Sequence, residues 1–195
     1  MRIFLLARHG ESLLNVAGVV NADPARDRGL SARGDDEARE LGRQIAALEL
    51  ELVATSRFPR AQQTAAIALG ARTVPRIVIP DLDDVHVGEL EGRTLAEYRT
   101  WKHGRARSEP FPGGESLDDA AARYAGAYQA LLARPERAVL IVCHEIPVRY
   151  AINAAAGSEQ LDAPVHDVPN AVPYLFGEPG LAAAAARIAG LASTA

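Results

Sequence analysis

The stretch Ile3-Phe4-Leu5-Leu6-Ala7-Arg8-His9-Gly10-Glu11-Ser12 decides the fold. Its first half is a short apolar run that reads as a buried strand, and its second half places a cation and an imidazole at that strand's carboxyl end. Open α/β sheets keep their chemistry at this edge. Arginine offers a planar fork of donors to phosphate oxygens, and neutral histidine is a competent nucleophile near pH 7. The pair therefore suggests phosphoryl transfer through His9. Arg8-His9-Gly10 is only three residues, so support has to come from elsewhere in the chain.

The 195 residues suit one domain, with an alanine-rich tail over 181–195. A formal net charge of −4 argues against a nucleic-acid or polybasic membrane surface and leaves small soluble partners. Lys102 is the only lysine, so arginine supplies nearly all the positive charge, and abundance alone says nothing about phosphate. Position must carry that argument. The single Cys143 forms no intramolecular disulfide, and the apolar run before Arg8 is too short for a signal core or a membrane span, so a cytoplasmic location is expected.

The motif at His9 is echoed twice. Ser31 reads as an N-cap for a helix whose apolar residues are Ala38, Leu41, Ile45 and Leu48. That helix would cross over to a second, parallel strand, Leu52-Val53-Ala54-Thr55. Pro59 then suits a first helical position and puts Arg60 in the opening turn. If the two strands are neighbours, Arg8 and Arg60 converge on one anion site beside helix N–H groups. Ala138-Val139-Leu140-Ile141-Val142-Cys143 is an unbroken apolar run of the kind found in a central parallel strand, and His144 follows it directly. Glu145, Pro147 and Arg149 open the helix beyond. Three strand ends thus deliver groups able to bind or transfer a phosphoryl.

Between these points, 74–79 reads as a strand with Pro75 favouring an edge. It leads to a loop, 81–92, with five carboxylates expected to be mostly solvated. Thr94 with Glu97 and Ser116 with Asp119 are capping boxes. The second opens an amphipathic helix whose Tyr124 and Tyr128 belong to the core. Residues 172–176 form a last strand, 177–180 read as a turn, and the tail has high helix propensity with little amphipathic pattern. His86, His103 and His166 read as surface or structural residues, and no metal-ligand spacing occurs.

Arg8-His9-Gly10-Glu11-Ser12, Asn15, Arg60-Ala61-x-Gln63-Thr64-Ala65, Gly114-Glu115-Ser116 and His144 together resemble the histidine phosphatase superfamily, in its phosphoglycerate-mutase-like branch. The resemblance spans about 2–155. It implies a three-layer α/β/α sandwich around a mostly parallel sheet, with His9 accepting the phosphoryl group, Arg8, Arg60 and His144 binding it, and Asn15 at the pocket rim. The family's proton donor is usually a glutamate in a Leu-x-Glu loop; here Leu82-Asp83-Asp84 occupies that pattern, so Asp84 stands where glutamate is expected. After His144 this branch usually has glycine, whereas this chain has Glu145, and the acid phosphatase branch often has an acid there. Both Asp84 and Glu145 are candidate acids.

The activity implied is a metal- and cofactor-independent phosphatase acting on a small phosphate ester or a phosphoprotein. A phosphoglycerate-type mutase is the alternative, although family mutases usually carry an insertion where this chain has only 93–112 between Gly92 and Gly113. A non-catalytic phosphoryl-binding protein is a third reading.

Overall fold

A computed structural model describes residues 2–193. Strands β1 (Ile3–Arg8), β2 (Leu52–Thr55), β3 (Arg76–Val78), β4 (Ala138–Cys143) and β5 (Pro173–Gly177) form one sheet in the order β3-β2-β4-β1-β5. All neighbours are parallel except β1 and β5. The apolar run of β4 is central, as its composition requires, and the Pro-led β3 lies at an edge where a missing N–H costs nothing.

Alternate side chains of each strand enter opposite layers. Phe4, Leu6, Leu52, Ala54, Val139 and Ile141 pack with helices α5 (Leu117–Leu132), α6 (Glu145–Ala155) and α7 (Glu178–Ala192). Leu5, Ala7, Val53, Leu140 and Val142 pack with α2 (Ala32–Gln44) and α3 (Pro59–Leu69). The result is the α/β/α sandwich expected from the sequence. Two shorter helices, α1 (Leu13–Val16) and α4 (Leu95–Lys102), lie outside these layers and flank the carboxyl end of β1. Among the described residues, no helix is long and apolar enough to cross a membrane.

Three expectations change. Strands β1 and β2 are not neighbours, because β4 lies between them. The 177–180 segment is not a free turn: Gly177 is an N-cap and Pro179 occupies the first turn of α7. That helix buries Leu181, Ala184, Ala185 and Ile188 against α5 and α6, so the alanine-rich composition serves close helix packing. Of the tail, 194–195 lie outside the described residues. Finally, only Asp81 and Glu89 of the five loop carboxylates are exposed. Asp83 is buried, accepting from the backbone N–H of Arg57 at 2.8 Å and from its Nε at 2.6 Å, and Glu91 accepts from Ala22 N at 2.6 Å and Asn21 Nδ2 at 3.1 Å.

Candidate active site

The carboxyl ends of β1, β2 and β4 meet at one point. Arg8 ends β1, and His9 follows with its N–H donating to Cys143 O at 2.9 Å. Arg60 sits in the first turn of α3, five residues after the end of β2, and His144 lies between β4 and α6. His9, Arg60 and His144 are all buried. The interposed β4 does not separate the arginines, because Arg60 reaches His9, the neighbour of Arg8, and both arginines line one cleft. Gly10 makes the tight junction possible: a Cβ there would lie 2.5 Å from Gly34 O, and a Cβ on Gly34 would lie 2.0 Å from Glu11 O.

The hydrogen bonds define the tautomers. Gly10 O can only accept, so His9 Nδ1 carries the proton across their 2.7 Å contact and Nε2 keeps its lone pair. Arg60 Nε donates to that Nε2 at 3.0 Å. Arg60 Nη2 lies 3.2 Å from His144 Nδ1, which therefore accepts, and His144 Nε2–H donates to Ser56 Oγ at 2.9 Å. One edge of a single guanidinium thus spans the two imidazoles. Burial, followed by the charges of Arg60 and Arg8, holds the pKa of His9 well below the usual histidine range. His144 is lowered in the same way, by burial and then Arg60. Both rings are neutral at pH 7.

Arg60 is fixed from every side. Its backbone N–H donates to Asp27 Oδ2 at 2.8 Å, with the carboxylate at the start of α3, and its Nη1 donates to Asn21 Oδ1 at 2.5 Å. Phe58 stacks beneath the guanidinium at 4.2 Å from the ring centroid. Arg8 donates from Nη1 to Val168 O at 2.9 Å and faces Glu145 at 3.2 Å.

The two candidate acids stand in different surroundings. Asp84 Oδ2 is 3.4 Å from Arg60 Nη2 and 3.6 Å from His144 Nδ1. Burial pushes its pKa up, against the opposing charge of Arg60. Arg123 of α5 grips its loop, donating to the carbonyls of Asp81, Asp83 and Asp84. Glu145 is also raised by burial, but its carboxylate is shared between Arg8 and Arg149, the latter at 3.0 Å. Both acids line a cleft of about 520 Å³ together with Arg8, His9, Asn15 and Arg60. Asp84 also lines a neighbouring cleft of about 730 Å³. Asn15 is exposed at the rim, where its Oδ1 closes the capping box with Ser12.

Asn21, Asp27, Ser56 and Asn170, which hold the site, carry no role in the sequence, and Thr64 stands there only as part of the Arg60 motif. Thr64 Oγ1 accepts from Gly10 N at 2.9 Å, and Asn170 Nδ2 donates to His9 O at 2.7 Å. Asn170 carries no signal in sequence, since it reaches His9 only through the return of the chain before β5. Ser56, placed at a strand end beside the Arg60 segment, could have been singled out. Among the described residues, no cluster of three or more metal-ligating side chains is found.

The chain resembles known proteins in sequence and fold. The family model of the histidine phosphatase superfamily, branch 1, matches residues 4–175, and the chain belongs to that family. A 2,3-bisphosphoglycerate-dependent phosphoglycerate mutase of Methylobacterium sp. (strain 4-46) is 30% identical over 192 residues, covering 90% of each chain. A probable phosphoglycerate mutase GpmB of Erwinia tasmaniensis is 29% identical, over 78% of this chain and 74% of that one. Among solved structures, Bacillus stearothermophilus YhfR superposes with a TM-score of 0.78 at 28% identity, covering 89% of each chain. A putative alpha-ribazole-5'-P phosphatase of Escherichia coli superposes at 0.76 with 25% identity over the same share. Phosphatases and mutases thus both stand among its relatives.

Proposed function

We propose that the chain is a phosphatase that hydrolyses a small phosphate monoester through a phosphohistidine at His9. The observation that carries this reading is the tautomer of His9: its Nδ1–H is committed to Gly10 O, so the Nε2 lone pair faces Arg60 and the cleft. A phosphoryl dianion competes for the same guanidinium edge and frees that lone pair. Arg8 and Arg60 balance the charge on the equatorial oxygens, and His144 lies across from His9 with ring centroids 5.3 Å apart.

In the first step, His9 Nε2 attacks phosphorus in line, the P–O bond to the alcohol breaks, and the leaving oxygen takes the proton of Asp84. In the second, water attacks phosphorus as Asp84 takes its proton back, the P–N bond to His9 breaks, and His9 is regenerated with release of inorganic phosphate. Asp84 is the better acid of the two candidates because burial raises its pKa while one ion pair, not two, holds its carboxylate in the ionised form. Asn15 contacts the substrate from the rim.

The mutase reading is favoured by the phosphoglycerate mutases among the relatives. Against it, 93–112 supplies only α4 and a loop to cover the cleft, and a mutase must keep water from its intermediate. A panel of phosphate esters, assayed for inorganic phosphate in parallel with a phosphoglycerate mutase assay, decides between the two. Free phosphate should dominate; dominant isomer formation would install the mutase reading instead.

A further inference from the structure

Glu145 occupies a position of its own between two arginines. Its Oε2 faces Arg8 Nη1 at 3.2 Å and its Oε1 accepts from Arg149 Nη1 at 3.0 Å, so each carboxylate oxygen is committed to a different guanidinium. Arg149 is buried and anchored in turn, with Nη1 donating to His166 O at 3.0 Å and Nη2 to Asp162 Oδ1 at 2.9 Å. Asp162 also pairs with Arg107, which holds Asp118 at 3.0 Å. A chain of alternating charges therefore runs from the 105–118 segment to Arg8.

The far end of that chain defines which donors Arg8 has left. Its Nη1 is committed to Val168 O and Glu145, with Asp167 at 3.8 Å. Its Nε is buried and has no hydrogen-bond partner. In a guanidinium, Nε and Nη2 form one of the two-pronged edges that match a pair of phosphoryl oxygens. With Nη1 pinned, the Nε–Nη2 edge is the one left for a ligand, and Arg8 lines the cleft it shares with His9 and Arg60.

We propose that Glu145, braced by Arg149, is a positioning residue that holds Arg8 Nη1 so that the Nε–Nη2 edge meets the phosphoryl group. The proposal rests on the reading of Arg8 as a phosphoryl ligand. It assigns Glu145 no proton transfer.

A positioning residue and a simple counter-charge predict opposite results. Removing a negative charge from beside an anion site tightens anion binding if Glu145 acts only through its charge. Loosening Arg8 weakens it if Glu145 acts through position. In Glu145→Gln, one of the two positions that face the arginines becomes an NH₂, so one guanidinium keeps its acceptor and the other meets a second donor. Titration calorimetry with inorganic phosphate on the full chain should show the dissociation constant rising about tenfold in Glu145→Gln, the loss of one charge-assisted contact. Glu145→Asp keeps the charge but is one methylene shorter, and should weaken phosphate binding in the same direction.

In an Arg8→Gln background, which by itself should weaken phosphate binding, Glu145→Gln should add nothing further, because there is no guanidinium left to position. Tighter or unchanged binding in the single Glu145 variants overturns the proposal, as does an equal loss with and without Arg8. If Arg8→Gln binds phosphate as well as the natural sequence, both the proposal and the phosphoryl-site reading fall. If Arg8→Gln weakens binding and the Glu145 variants do not, only the proposal falls.

Discussion

Asp84 and Glu145 line the same cleft, and their partners differ. Asp84 is one methylene shorter than the glutamate the resemblance predicts, and a donor must come within about 2.6–3.2 Å of the leaving oxygen or work through one water. Its loop is held in place: Arg123 donates to the carbonyls of Asp81, Asp83 and Asp84, and Asp83 is tied to Arg57. Asp84→Asn should slow alkyl phosphates by about 10²–10⁴-fold, the usual worth of a general acid, while sparing p-nitrophenyl phosphate, whose leaving group needs no proton. Turnover on both ester types is the measurement, and a selective loss in Glu145→Gln instead would reassign the acid.

The histidines give a second prediction at this scale. Both fold with pKa values well below the ordinary histidine value of about 6.5, so below that pH the unfolded chain binds two protons that the folded chain does not. Stability therefore falls as pH falls from 6.5 toward the depressed values, by up to about 1.4 kcal/mol per pH unit for each ring. Asp84 acts with the opposite sign: its raised folded pKa makes stability fall as pH rises from 3.8 through that value. Urea unfolding between pH 7.5 and 5 reads the histidine slope, and His144→Gln should remove about half of it.

At the scale of the element, α7 and the junction of α2 with the His9 loop carry the structure. Leu181 and Ile188 are fully buried between α5, α6 and the sheet, so either one changed to alanine should cost about 2–5 kcal/mol in denaturant unfolding. Gly34→Ala should be destabilising as well and should lower activity, because its Cβ would meet Glu11 O and drive α2 away from the loop bearing His9. The strands, the capped helices and the three site-bearing strand ends were legible in sequence because apolar runs, capping boxes and Pro59 are local signals. The helix propensity of α7 was legible too but its buried face was not, because a helix of alanines shows little contrast between its faces, and only contact with α5 and α6 reveals which face is buried. Asp83 and Glu91 were missed for a related reason: a carboxylate reads as solvated until its distant partners, Arg57 and Asn21, are in view.

For the whole molecule, the sheet order explains why one site forms from three separated segments. With β4 at the centre, His144 emerges between the ends of β1 and β2, and Arg60 reaches across it to His9. Sequence could name His9, Arg8, Arg60, His144 and the choice between Asp84 and Glu145, since each follows a strand or matches the family's pattern. It could not supply the supports from Asn21, Asp27, Ser56 and Asn170, which depend on how crossovers return the chain. The central claim is that the phosphoryl group passes through His9. Rapid quenching of the chain with a ³²P-labelled monoester tests this most directly, followed by mapping of the acid-labile, base-stable label. The account predicts label on His9, formed and discharged at rates that support turnover, and none in His9→Ala, which should also be inactive. Label on another residue, or full turnover by His9→Ala, would contradict it.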